Sequence, residues 1–259
     1  MEVKDKIIVA LDVDSLDKAK PLVESLAPHV GCFKVGLELL TAVGAPQVVE
    51  FVHSLGGQVF LDGKFKDIPN TVAGASKAVA KMGVKMFNIH CLGGSAMMKA
   101  AKHAVEEVCG NEKCPVILGV TLLTSLDHKD LVEMGIYDEL NIADPEEKKQ
   151  IEQDRIERFA VRHLAWLAQE CGLDGVIASP KEIEAIRNYC QPELLVVTPG
   201  VRPLWAAAGD QKRIMTPAEA IKAGATALVI GRPITKPPVE IGTPVDAAKK
   251  IAEEIASVL

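Results

Sequence analysis

Gln58-Val59-Phe60-Leu61-Asp62-Gly63-Lys64-Phe65-Lys66-Asp67-Ile68-Pro69-Asn70-Thr71 joins a short apolar strand to the start of a helix, and charges of both signs crowd into the junction. Gly56-Gly57 supplies the turn before it, Gln58 to Leu61 carries the strand, and Pro69 with Asn70 opens a helical run to Met82. Side chains two apart on a strand share a face, so Asp62 and Lys64 are predicted to point the same way at the strand's C-terminal end, with Asp67 in the loop beyond. Taken alone, an Asp-x-Lys-x-x-Asp pattern is also what a solvated loop offers in a chain that is 25% charged, so the surroundings decide its meaning.

The same strand-then-helix unit recurs in both directions. On the N-terminal side, Ile7 to Leu11 forms a strand ending in Asp12, followed by a helix capped by Ser15 and bent at Pro21 that runs to Leu26. Cys32 to Val35 is a second strand, closed by Gly36 and followed by a helix from Pro46 to Ser54. On the C-terminal side, Met86 to His90 precedes a helix from Ser95 to Cys109, and Val116 to Val120 leads through Thr121-Leu122-Leu123-Thr124-Ser125 to a helix over Asp127 to Met134. Asp138 to Lys149 is charge-rich and carries Pro145, which predicts a surface excursion before an amphipathic helix from Ile151 to Cys171. Gly175 to Ala178 and Leu194 to Val197 are strands six and seven, the former followed by a helix from Lys181 to Tyr189. The loop Ala206 to Arg213 has the length of a lid. A helix from Thr216-Pro217 to Ala223, a strand from Ala227 to Ile230 and an amphipathic helix from Val245 to Val258 complete the series.

Eight apolar strands alternating with eight helices fit a (β/α)8 barrel, a TIM barrel forming a single domain over residues 1–259, better than an open doubly wound sheet. In such a barrel Asp12, Lys34, Asp62, Lys64 and Thr124 all fall at or just past the C-terminal ends of strands, the face on which barrels build active sites. Gly200-Val201-Arg202 and Gly231-Arg232-Pro233 follow strands seven and eight, where barrels commonly bind phosphate. Two of these charges keep a second reading: Asp12 as a helix-capping carboxylate, and Lys34 as a lysine that snorkels to solvent.

Composition narrows the partners. A formal net charge of -6 provides no field for nucleic acid, no apolar run approaches a membrane span, and the N-terminus is too short and too acidic for a signal peptide, so a cytoplasmic protein is expected. The six cysteines show no Cys-x-x-Cys pair and no paired histidine spacing, and are expected to be reduced, small hydrophobes. No metal or cofactor motif accompanies the charges, so neither is expected. His90 is predicted to be a hydrogen-bonded structural residue, and His29, His53, His103, His128 and His163 receive no role.

Ala10-Leu11-Asp12, Phe33-Lys34-Val35-Gly36, Asp62 to Thr71, Leu123-Thr124-Ser125, Pro199-Gly200-Val201-Arg202, Gly209-Asp210-Gln211 and Ile230-Gly231-Arg232-Pro233-Ile234 stand in an order that resembles the orotidine 5'-phosphate decarboxylase family in its bacterial form, nearly end to end. The resemblance implies cofactor-free decarboxylation to uridine 5'-phosphate in pyrimidine synthesis. It implies Lys64 as proton donor within an alternating array of Lys34, Asp62, Lys64 and Asp67, with Asp67 and Thr71 reaching into the partner subunit's site of a homodimer. By the same resemblance Asp12 and Lys34 hold the ribose, Thr124 and Ser125 recognise the pyrimidine, and Arg202, Gln211, Gly231 and Arg232 grip the phosphate. Two positions depart from that pattern: Gly63, where an apolar residue is usual, and Lys66, where histidine is usual. The rival readings are a magnesium-dependent sugar-phosphate lyase of the same superfamily, a 3-keto-hexulose phosphate synthase or keto-gulonate phosphate decarboxylase, and a non-catalytic nucleotide-binding barrel.

Overall fold

A computed structural model describes residues 2–110, 113–206 and 215–259. Eight strands, β1 (Ile7–Ala10), β2 (Cys32–Val35), β3 (Val59–Phe65), β4 (Met86–His90), β5 (Val116–Val120), β6 (Gly175–Ile177), β7 (Leu195–Pro199) and β8 (Ala227–Ile230), pair in parallel in chain order. Ile8 of β1 stands opposite both Cys32 of β2 and Val229 of β8, which closes the barrel. Period-two alternation divides the apolar strands between two cores. Ile8, Cys32, Phe60, Met86, Leu118 and Val229 fill the interior, while Ile7, Val9, Phe33, Leu61 and Phe87 face outward against the helices. Phe33, Phe60 and Phe87 are wholly buried, each burial contributing about 2 to 3 kcal/mol.

The helical layer is α1 (Leu16–Leu26), α2 (Leu37–Val43), α3 (Ala45–Ser54), α4 (Pro69–Lys81), α5 (Gly94–Cys109), α6 (His128–Glu133), α7 (Pro145–Arg158), α8 (Trp166–Glu170), α9 (Ile183–Tyr189), α10 (Pro217–Lys222), α11 (Arg232–Thr235) and α12 (Pro244–Ala256). Their starts follow cap chemistry: the side chains of Asp127, Asp144, Thr216 and Thr243 accept first-turn N–H groups, and Pro145, Pro217 and Pro244 follow where a missing N–H costs nothing. Ser15 stands at the N-cap of α1 without such a bond, and Pro21 lies within that helix.

Five elements differ from the sequence reading. The strand expected to end at Leu61 continues through Asp62 and Lys64 to Phe65, so both charges lie within β3. α2 and the four-residue α11 were not anticipated, being too short to show an apolar period. α7 begins at Pro145 because Asp144 caps it. Ile156 is its one buried residue, so no apolar side chain marks its first turns and the helix was expected only from Ile151. Between α7 and α8 the chain takes a π-helical stretch, Phe159–Ala165, that inserts Ala160, Val161, Leu164 and Ala165 into the core, an irregularity that a 3.6-residue period cannot reveal.

Of the lid-length loop, residues 207–214 fall outside the described residues, and with them Gln211. The chain on either side is tied: Val201 forms a parallel bridge to Met215, and the Arg202 N–H donates to the Met215 carbonyl at 3.1 Å. Among the described residues no helix is long and apolar enough to cross a membrane. No disulfide joins the six cysteines, and Cys32, Cys91, Cys171 and Cys190 are buried.

Candidate active site

Strand parity puts Lys34 on the inward face two residues beyond Cys32, and Asp62 two residues beyond Phe60, so both stand directly above the interior layer at the C-terminal mouth. The Lys34 ammonium bridges Asp12 Oδ1 at 3.2 Å and Asp62 Oδ2 at 3.3 Å. The other oxygen of Asp62, Oδ1, accepts from Lys64 Nζ at 2.7 Å. A largely covered ammonium paired with two carboxylates is no snorkelling lysine, and Asp12 turns toward Lys34 rather than capping α1. The alternation of charge lets each ammonium and carboxylate in the row hold its neighbour, with Asp62 the one buried member.

The local backbone is irregular in a way that positions Lys64. Leu61 stands opposite Phe87 and Phe65 opposite Ile89, so three residues of β3 (62, 63 and 64) face only Asn88 on β4. In this bulge Lys64 takes φ 50°, the one non-glycine residue with positive φ among the described residues. Asn88 fills the gap. Its Nδ2 donates to Asp62 Oδ1 at 2.6 Å and its Oδ1 accepts the Lys64 N–H at 2.7 Å. The sequence reading passed over Asn88, although a polar residue on the inward parity of an apolar strand, two residues after Met86, was a signal of the same kind as Lys34.

Lys34, Asp62 and Lys64 form the charged wall of a cavity of about 200 Å³ whose other walls are Phe60, Val120, Leu122, Ile177, Ala178 and Pro199, with Thr124 at its edge. Ser125 lies apart from this cavity, in a neighbouring recess of about 460 Å³ that it shares with Asp127, Gln153 and Glu182. At the ends of β7 and β8, Arg202 is buried and Arg232 exposed, the latter as first residue of α11. Gly231 adjoins Asp12: a Cβ there would lie 3.6 Å from Asp12 Oδ2, so β8 meets the charged row at its solvent end. Asp67 is not joined to the row within this chain. It is exposed, and its carboxylate accepts the Ile68 N–H at 2.7 Å. Thr71 is likewise exposed, on the first turn of α4.

Three further groups border the site. The ring Nδ1 of His90 is buried and has no hydrogen-bond partner, against the expected hydrogen-bonded histidine; burial foremost, then the nearby Lys66 and Lys64 cations, hold this imidazole below its ordinary pKa. Gly63 is explained by its neighbour: a Cβ at this position would meet Phe65 Cε1 at 2.7 Å, so the phenyl ring, packed on Phe87, occupies the room that an apolar side chain would need. Glu182, 5% exposed, accepts the Ser179 N–H at 3.0 Å, and burial pushes its carboxyl up to about 7. Among the described residues no group of three or more His, Cys, Asp or Glu side chains converges as a metal site.

With this geometry in place, the comparisons are specific. The model of the orotidine 5'-phosphate decarboxylase / HUMPS family matches residues 5–251. The orotidine 5'-phosphate decarboxylase of Moorella thermoacetica is 51% identical over 261 residues, covering 100% of this chain and 95% of that protein. The protein of the same name from Trichlorobacter lovleyi is 50% identical over 256 residues, covering 99% and 97%. Among solved structures, the orotidine 5'-phosphate decarboxylase of Lactobacillus acidophilus superposes with a TM-score of 0.76 at 33% identity, over 96% of this chain and 98% of that one.

Proposed function

The chain belongs to the orotidine 5'-phosphate decarboxylase / HUMPS family, and from that membership we propose that it decarboxylates orotidine 5'-phosphate to uridine 5'-phosphate, with Lys64 delivering the proton to C6 and no cofactor taking part. The observation that carries the catalytic assignment is the Lys64 ammonium at 2.7 Å from a carboxylate that Lys34 and Asn88 also hold, on the wall of a cavity otherwise apolar. When the bond between C6 and the carboxyl breaks, carbon dioxide leaves and the electron pair stays on C6, a carbon without an electron sink. A fixed ammonium stabilises that pair and then protonates it, and solvent returns the proton to the amine. Because Asp62 is engaged by two ammonium groups and one amide, its role in this reading is to preorganise Lys64 rather than to strain the departing carboxylate.

The remaining roles are those the family resemblance implies. Asp12 and Lys34 hold the ribose hydroxyls, Thr124 with Ser125 recognises the ring edge, and Arg202, Gly231 and Arg232 take the phosphate at the β7 and β8 ends, together with Gln211. Binding of that remote, non-reacting group supplies energy for orienting the ring. The protein acts as a homodimer with shared sites, Asp67 and Thr71 serving the partner. Their exposure supports this, as does that of Ile68 between them, an apolar side chain 66% exposed beside a charged mouth. The enzyme is a single catalytic domain of the cytoplasm with no nucleic-acid partner.

The deciding experiment follows the absorbance of orotidine 5'-phosphate with purified protein in excess chelator. Turnover unchanged by the chelator is expected. Activity lost in chelator and restored by magnesium would favour the sugar-phosphate lyase reading, and binding without turnover the non-catalytic barrel.

A further inference from the structure

We infer that Asn88 is a positioning residue of this reaction: one carboxamide sets both the angle of Asp62 and the backbone of Lys64, without touching substrate. The inference rests on the decarboxylase reading above and deepens it. Asn88 lies on the interior parity of β4, one step beyond Met86 of the apolar layer, and is 0% exposed. Burying an amide there is unfavourable unless both its ends are paired. Each end is paired with the bulge of β3: Nδ2 donates to Asp62 Oδ1 at 2.6 Å and Oδ1 accepts from the Lys64 N–H at 2.7 Å. Only one amide orientation satisfies a carboxylate acceptor and an N–H donor at once, so the flip is fixed by its partners.

These bonds close a cycle. Lys64 Nζ donates to the same Asp62 oxygen, at 2.7 Å, that receives Asn88 Nδ2, and the Lys64 N–H returns to Asn88. The cycle answers two local problems. With three residues of β3 facing one of β4, the Lys64 N–H has no regular ladder acceptor opposite it, and the Asn88 side chain takes that place. A left-handed conformation on a residue with a Cβ costs about 1 to 2 kcal/mol, and the bond to Asn88 offsets a cost of that size. Lys64 is therefore anchored at its backbone and at its ammonium by groups that share one partner. A leucine or valine at position 88 would pack equally well in the barrel but would leave the Lys64 N–H and one Asp62 bond unmade.

The test splits the two ends of the amide. Asn88→Asp keeps an oxygen for the Lys64 N–H and replaces the donor to Asp62 by a carboxyl. Burial and the adjacent Asp62 raise the pKa of that new carboxyl above the ordinary range. While protonated it donates to Asp62 and restores the cycle; once ionised it repels Asp62. The expected result is a kcat that falls about 100-fold relative to the unmodified chain as pH rises from about 5 to 8, regained on return to acid. The affinity for uridine 5'-phosphate should stay within about threefold throughout. A kcat ratio that does not change with pH, or a loss that appears in nucleotide affinity instead, overturns the inference. Should Asn88→Asp fail to fold, Asn88→Ala decides: the same kcat loss with retained nucleotide affinity supports the role, and normal kcat or lost affinity refutes it. The unmodified chain assayed in parallel tests the decarboxylase reading by itself, so the two failures are distinguishable.

Discussion

The ammonium of Lys34 stands 2.9 Å from the point where a Cβ on Gly36 would lie. Gly36 has an ordinary φ of -93°, so the space and not the backbone calls for glycine here. Keeping that volume empty lets Lys34 bridge Asp12 and Asp62. Gly36→Ala is expected to fold with little change in melting temperature while kcat falls about tenfold, since a displacement approaching 1 Å at a reacting group is felt at that scale. Steady-state kinetics beside a thermal melt measures both, and an unchanged kcat would show that the Lys34 position is not critical.

Lys64→Ala removes the proposed proton donor and should abolish turnover while largely sparing the affinity for uridine 5'-phosphate, because in that role the ammonium acts mainly in the transition state. Arg232→Ala should do the opposite, weakening phosphate-bearing ligands by roughly 2 to 4 kcal/mol with a smaller effect on the chemical step. Calorimetric titration with the nucleotide, paired with single-turnover assays, separates the two. Residual decarboxylation by Lys64→Ala at more than a trace would remove Lys64 from its role.

Lys64→Ala and Asp67→Ala chains are each expected to be inactive and to complement one another when mixed. In a two-fold dimer with shared sites, a mixed pair collects both lesions in one site and leaves the other intact. Random reassortment therefore restores about a quarter of all sites. Activity after subunit exchange, with exchange verified by mass spectrometry, is the measurement. Verified exchange with no returning activity would assign Asp67 to its own chain.

Glu182 links stability to pH. Its carboxyl is raised from 4.5 to about 7, chiefly by burial, with Glu157 adding and the Ser179 N–H opposing. Across that window the folded protein retains a proton that the unfolded chain has released, so the stabilisation is present below it and is lost as pH rises through it. Glu182→Gln keeps an oxygen for the Ser179 N–H and cannot ionise. It should match the unmodified protein near about pH 5 and exceed it by roughly 2 to 4 kcal/mol near about pH 8. Denaturant titrations at both pH values check this, and equal stability at the higher pH would show that the carboxylate is better solvated than its burial implies.

Much of the barrel was legible because parallel strands covered on both faces read as short apolar runs: β4, β5 and β8 begin and end where the sequence put them. Helix starts were less legible where no apolar side chain marks them: the first turn of α7, held by its cap, passed for the end of a surface excursion, and the helix was expected only from Ile151. Within the site, Lys34 was visible as a charge inside an apolar strand, which is costly without a partner, and Asp62 as a charge at a strand's C-terminal end. The bulge was not visible, since it is a mismatch between β3 and β4 that neither strand shows alone. Asn88, uncharged, drew no notice. Asp67 was expected in the array by resemblance, and a single chain leaves it at the surface.

Pairing β8 back onto β1 leaves every strand with a neighbour on both sides. The barrel therefore offers no row of unmatched N–H and carbonyl groups to another polypeptide, so a second copy is not recruited by adding a strand to it. A partner that meets the barrel is recognised through side chains on its loops and helices. A contact of that kind can be altered by single substitutions at Asp67, Ile68 or Thr71 without rewriting the hydrogen-bond network of the barrel.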